Sequence, residues 1–593
     1  MQNRRKPFLF TAGLALALAV GGAARLSAQE VKVEEHVLPN GMKLLLVPRP
    51  DEPTVAAGWV AKVGSVNERI GMTGISHLFE HMMFKGTDSI GTKDFAKDKE
   101  IMAEQEKVRA EMRVEESKMR AELRRGTIDD ITKPENKTAR YKELEKKFDE
   151  LVKAQRDLLV KNEFDRIYTK NGASGMNAFT MNDLTAYFIT VPKNKLELWF
   201  WMESDRLFHP VFREFYSERD VVYEERRMRV ESTPTGRLDE AFESIFWHST
   251  PYTWPVIGYP SDVANITKEQ ADDYFATYYA PNNVTAVLVG AFDPKDALKL
   301  AEEYFGRIPR GKTPPPEIIT LPPKWDYDVV LEGEADTNPQ CEVRWHTVPF
   351  QHKDSYPLQI LAEILNGRTG RLFKSMVLPA DGVATQAYAR SNGFGEPGKY
   401  AGSFAVGAEA KEGKTPQELE QKILAEVAKL QKEPVPAEEL QKVKNNVAAN
   451  SFRRLSSNFP VLLQLLVYEG YGDYKELNEG PKKLAAVTAE DVQRVAKQYL
   501  VKTNQAAALY TRKAGTAQAE DPALAEVPEQ MRPMIKGALQ RISQEKDAAK
   551  LKEQVGKMEA QAGQVPPEMK KGFDLLLTKA RERLTELEKT EKK

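Results

Sequence analysis

Two histidines and a glutamate, His77, Glu80 and His81, fall in the run Ile75-Ser-His-Leu-Phe-Glu-His-Met-Met-Phe84. On a helix, positions i and i+4 share a face, so both imidazoles can reach one metal ion. Glu80, three residues after His77, lies on that face, close enough to exchange a proton with water at the metal. The glutamate comes just before the second histidine, the reverse of the familiar zinc-protease order. Only seven histidines occur in 593 residues, and two of them are here. The competing reading is two surface histidines beside a helical glutamate.

A zinc site with two histidines needs a third protein ligand and an open position for water. The best source is a second candidate helix, Glu214-Phe-Tyr-Ser-Glu-Arg-Asp-Val-Val-Tyr-Glu-Glu-Arg-Arg227. At 100° per residue, Glu214, Glu218 and Glu225 fall within about 40° of one another, and Glu224 points elsewhere. One carboxylate of the row could bind the metal and another could support a ligand or the water. A charged surface helix would carry the same pattern.

Several elements must hold these groups. His36 to Val47 reads as a turn at Asn40-Gly41 followed by a strand, and Val55 to Val63 as a second, apolar strand. The motif helix then starts near Thr73, a suitable N-cap. Gly175 to Val191 reads as a long β-rich stretch, followed by helices over 196–207 and 212–231. If the Asn177–Val191 strand is a sheet edge, an extended peptide can pair with it through backbone hydrogen bonds. Between these elements, residues 95–165 are dense in Lys, Glu and Arg. Ile101, Val108, Met112, Met119 and Leu123 make one helical stripe, and Tyr141, Leu144, Phe148, Leu151 and Leu158 another. We read an antiparallel helical hairpin inserted into the first domain, either a solvated excursion or a gating arm.

The remaining organisation is coarser. Residues 1–28 read as a secretory signal: Arg4, Arg5 and Lys6, an apolar run from Phe8 to Val20, and a small-residue cleavage site at Ala28. An uncleaved anchor is the alternative, but the run falls short of the roughly 20 residues a spanning helix needs. Pro7 weakens a twin-arginine reading. The first domain runs over 29–312, a proline-rich linker over 313–325, and a second domain over 326–513. That domain repeats the first half's order of strand, helix, strands and helix. A charged helical tail covers 514–593. A net charge of −1 suggests no nucleic-acid footprint. The single cysteine, Cys341, excludes an internal disulfide and thiolate zinc sites, and suits a small buried residue.

The motifs taken together carry a family resemblance. His77-Leu-Phe-Glu-His81 with Met-Met-Phe-Lys-Gly-Thr87, Asn177-Ala-Phe-Thr180 and Glu218-Arg-Asp-Val-Val-Tyr-Glu-Glu225 resemble the M16 metallopeptidases. That family includes pitrilysin, insulin-degrading enzyme and the mitochondrial processing peptidase, and this chain is similar to its short bacterial subunits. The likeness continues through Pro251–Gly258, Tyr279–Asn283 and Tyr304–Gly306, and covers roughly residues 33–512 apart from the hairpin. It implies an α+β fold of two homologous domains, each a mainly antiparallel sheet with helices packed on it. It also implies one zinc per chain on His77, His81 and Glu225, with Glu80 as general base and Glu218 assisting without binding the metal. Asn177, Ala178 and Phe179 would line the substrate edge. Hydrolysis of peptides or unfolded segments, in an exported, periplasmic or secreted protein, is the expected activity.

One departure bears on partners. Members of the family place an arginine and a tyrosine opposite the zinc. Aligning Gly370-Arg-Leu-Phe-Lys-Ser-Met-Val377 puts Val377 at the arginine and Ala384 at the tyrosine, so the pair is missing. The chain therefore reads as the zinc-bearing half of a heterodimer whose partner supplies the pair, with a homodimer as the alternative. A non-catalytic structural or peptide-binding subunit is the other functional class.

Overall fold

A computed structural model describes residues 30–391, 398–513 and, apart from 525, 526, 529, 530, 546 and 564, residues 524–591. The signal read at 1–28 lies outside the described residues. The chain divides into two compact units, one ending at Thr511 and the other beginning at Arg512.

The larger unit is built on two sheets. The first contains β1 (Glu34–Val37), β2 (Lys43–Pro48), β3 (Thr54–Ala61), β4 (Ser174–Thr180), β5 (Thr185–Pro192) and β6 (Val284–Gly290), in the order β1-β2-β6-β3-β5-β4. Only β2 and β6 pair in parallel; every other neighbouring pair is antiparallel. The second contains β7 (Val329–Ala335), β8 (Gln340–Thr347), β9 (Ala384–Ser391), β10 (Gly402–Ala410) and β11 (Gln505–Arg512), in the order β7-β11-β8-β10-β9. With β1 set aside, both sheets run first, last, second, fourth, third in chain order. The fold is therefore mixed α and β with a repeated architecture.

Both faces of each sheet are covered, which explains why β3 and β6 are buried almost along their whole length and carry only Thr54 and Thr285 as polar residues. Helices of the first half cover one face of the first sheet. The helix Asn458–Tyr471 covers the other, pressing Val461, Leu462, Leu465 and Leu466 onto Val60, Phe188, Val287 and Val289. Gly58 permits that approach, since a Cβ there would stand 2.5 Å from the Tyr187 carbonyl oxygen and 3.2 Å from Leu466 Cδ1. The arrangement is reciprocal. The helix Gly236–Phe246, from the first half, lays Phe242 and Phe246 against Ala506, Ala508 and Tyr510 of the second sheet. Cys341 is buried on β8 among apolar neighbours.

The hairpin comprises helices Phe95–Arg125 and Ala139–Leu158, joined through Val108, Met112 and Leu144. The Asp94 carboxylate caps the first, Gly126 ends it at φ 74°, and Thr138 caps the second. At its base the buried Arg213 guanidinium pairs with buried Asp98 and donates to the carbonyls of Thr87 and Ile90. The insert is thus anchored to the loop that follows the motif helix.

One expectation about the strands is corrected. Gly175–Val191 is not a single strand: Met181 to Leu184 turns the chain, so β4 and β5 form an antiparallel pair with Asn177 opposite Phe188 and Ala178 opposite Tyr187. Asp183 in that turn is buried, taking hydrogen bonds from the Tyr252 hydroxyl and the Gly398 amide. The smaller unit contains helices Arg532–Gln544, Ala548–Gln561 and Pro567–Glu591 around two small apolar clusters. Among the described residues no helix is long and apolar enough to cross a membrane.

Candidate metal centre

The motif helix spans Ile75–Met82 and buries Ile75, Leu78, Phe79 and Met82 in the first core. Phe79 meets Phe212 and Tyr274 at ring-centroid distances of 5.1 Å. That apolar stripe fixes the helix rotation and turns His77, Glu80 and His81 toward β4 and the glutamate helix. The N-cap is Gly74, at φ 90°, and not Thr73. The Thr73 hydroxyl instead donates to Asp262, while the amides of Gly74 and Ser76 donate to Glu68 at 2.7 and 2.8 Å. A carboxylate from the segment leading into the helix therefore satisfies two of its first amides. Burial pushes the Glu68 carboxyl up to about 8 against the pull of those donors.

The glutamate helix is α-helical over Phe215–Arg226 and widens into a π-helical turn over Arg227–Glu231. Phe215, Tyr216 and Val222 bury one side of it. Glu214 does not continue the carboxylate row. It is the N-cap, in the left-handed region at φ 54°, and its carboxylate lies 3.5 Å from Lys85 Nζ. Glu218 and Glu225 remain on the face toward the histidines.

His81 Nε2 lies 3.4 Å and His77 Nε2 3.9 Å from the same oxygen, Glu225 Oε2. The candidate donor atoms of the three residues all lie within 4.8 Å of one another. Four donors at zinc bond lengths in a tetrahedron stand about 3.4 Å apart, so this set fits zinc after little adjustment. The surroundings fit as well. His81 Nδ1 lies 2.9 Å from Glu218 Oε1; with the ring neutral and its proton on Nδ1, that contact leaves Nε2 free toward the common point. Lys85 pairs with the other Glu218 oxygen. Burial, followed by the charges of His81 and Arg229, pushes His77 down to about 3, keeping it the neutral imidazole that a metal ligand must be. Burial works against the charge on His81, but the Glu218 hydrogen bond and the neighbouring carboxylates hold its pKa above the ordinary value.

Glu80 points into the same space and accepts a hydrogen bond from Thr180 Oγ1, on β4, at 2.7 Å. Burial raises its pKa, with the Thr180 donor pulling the other way. Asn177, Ala178 and Phe179 lie beside Thr180 on that edge strand. Glu80, His81 and Asn177 border a cavity of about 520 Å³ whose further wall is Leu159–Phe164, the chain leaving the hairpin. Neither that wall, nor the Thr180 contact, nor Arg229 beside Glu225 is foreseen from the sequence. The i+4 spacing of Arg229 from Glu225 is the one signal that could have found it. In the second half, Val377 ends a π-helical turn and Ala384 is buried at the start of β9. Tyr388 and Arg390, further along β9, both donate to Glu342.

The comparisons agree with this architecture. Residues 43–131 match the family model described as insulinase, peptidase family M16, and residues 265–447 match the M16 inactive domain. The zinc protease PqqE of Helicobacter pylori is 24% identical over 503 residues, spanning 83% of this chain and 96% of that protein. The chain belongs to the M16 peptidase family. A crystal structure of a protease from Helicobacter pylori superposes on this M16 chain with a TM-score of 0.65 at 23% identity, over 81% of this chain and 99% of that one. The periplasmic protease PqqL of Escherichia coli gives a TM-score of 0.57 at 18% identity, with 84% of this chain covering 49% of that one.

Proposed function

We propose that this M16 chain is an exported zinc-dependent endopeptidase acting on peptides or unfolded segments. The observation that carries the reading is the convergence of two histidine Nε2 atoms on one Glu225 oxygen, with Glu80 beside them and tied to an edge strand. His77, His81 and Glu225 would hold the zinc, one per chain. A zinc ion on this set acts as a Lewis acid, lowering the pKa of water to about 7 and polarising a carbonyl oxygen.

The chain's own groups perform the remaining steps. A substrate added to β4 as a further strand is held by backbone hydrogen bonds along Asn177–Thr180, largely independent of its side chains. Glu80, as the carboxylate, removes the proton from the attacking water and then delivers it to the leaving amine. Thr180 orients Glu80 and joins the base to the strand that positions the scissile bond. Glu218 keeps His81 in the ligating tautomer, and Lys85 holds Glu218 in place.

The subunit arrangement is part of the proposal. Val377 and Ala384 stand where an arginine and a tyrosine are expected, and the chain matches only half the length of PqqL. The chain is then the zinc-bearing half of a heterodimer. Peptide cleavage by the purified chain alone, compared with the complex isolated from its own cell, tests this. Full activity of the lone chain removes the heterodimer. The inactive-domain match favours a second reading, a non-catalytic assembly subunit, but it covers 265–447 and none of the zinc set. Chelator-sensitive cleavage of an unstructured peptide would exclude that reading, and a metal-free, inert complex would support it.

A further inference from the structure

The third ligand of the proposed zinc set has a partner of its own. Arg229 Nη2 lies 2.6 Å from Glu225 Oε1, while the other oxygen, Oε2, is the one facing both histidines. Arg229 sits in the π-helical turn that follows the glutamate helix, a widened geometry that often marks functional positions. Its side chain is 69% exposed and is not packed into the core, so it serves no evident folding purpose. The positive charge also falls close enough to act on His77 and Glu80.

We infer that Arg229 is a positioning residue that fixes Glu225 as a one-oxygen ligand. The inference rests on the zinc reading above and adds to it. A free carboxylate can grip a cation with both oxygens. With Oε1 engaged by a guanidinium, only Oε2 is left for the metal, and the last coordination position stays open for water. Two of the three ligands then have separate anchors: Glu218 for His81 and Arg229 for Glu225. The two anchors have opposite charge because an imidazole N–H needs an acceptor and a carboxylate oxygen pairs with a cation.

The test uses the full chain with Arg229→Met and Arg229→Lys, zinc as the probe, and chelator competition as the readout. Arg229→Met should lower the zinc dissociation constant severalfold, since it removes a cation beside the site and frees the second Glu225 oxygen for the metal. Arg229→Lys, which keeps the charge, should return most of the way to the wild-type value. X-ray absorption at the zinc edge should show one Glu225 oxygen in the wild type and a second approaching in Arg229→Met. Melting temperatures of the metal-free proteins should coincide, separating this role from folding. Equal zinc affinity and equal coordination in Arg229→Met and wild type would overturn the inference. A wild-type chain that binds no zinc would overturn the site reading itself, a different result.

Discussion

Removing the carboxylate of Glu218 should loosen the metal without unfolding the protein. Glu218 Oε1 takes the His81 Nδ1 hydrogen at 2.9 Å and its second oxygen carries Lys85. Burial works against the charged carboxylate, yet the His81 and Lys85 hydrogen bonds prevail and hold its pKa below the ordinary value. Glu218→Ala deletes the acceptor, so the imidazole is free to turn or to place its proton on Nε2, where the metal must bind. Loss of one such partner typically costs 10- to 100-fold in affinity, or about 1.4 to 2.7 kcal/mol. Glu218→Gln keeps an acceptor for Nδ1 and loses only the charge, so its loss should be smaller. Zinc competition against a chelator at fixed pH measures both variants. The reasoning fails if Glu218→Ala binds zinc within twofold of wild type, or if Gln is worse than Ala.

Two further outcomes concern protons. Thr180→Val removes the donor that favours the Glu80 carboxylate. The Glu80 pKa should rise, and because the base must be ionised, the acid limb of kcat/KM should move to higher pH; an unmoved limb would detach Thr180 from the base. His346, stacked on Phe246 at 4.0 Å, is pushed by burial from 6.5 down to about 3. The folded state then holds it neutral while the unfolded chain binds a proton below pH 6.5, so stability should fall on acidification, by about 2 kcal/mol between pH 6.5 and 5. His346→Phe should lack that part of the slope in denaturant titrations; an identical slope would refute the assignment.

The parts of the site that were legible in the sequence are those set by local helical geometry. His77 and His81 share a face because they are four residues apart, and Glu218 and Glu225 because seven residues make nearly two turns. What the sequence hid depends on contacts between distant segments. Glu214 looked like part of the row, but it is the left-handed N-cap, and its carboxylate reaches Lys85 beside Glu218 instead of joining the zinc set. Thr73 looked like a cap, but Asp262, almost two hundred residues on, takes its hydroxyl. The β4–β5 turn was invisible in a β-rich run because buried Asp183 is satisfied by Tyr252 and Gly398. Helix exchange between the two halves left its trace only as strands that are largely apolar instead of alternating, β3 and β6 above all.

The most direct measurement is zinc content and peptide turnover measured together on the natively isolated protein and on Glu80→Gln. The account predicts one zinc per chain in both proteins, with hydrolysis of an unstructured peptide only in the wild type. Turnover retained by Glu80→Gln would contradict it, as would an active wild type carrying no metal.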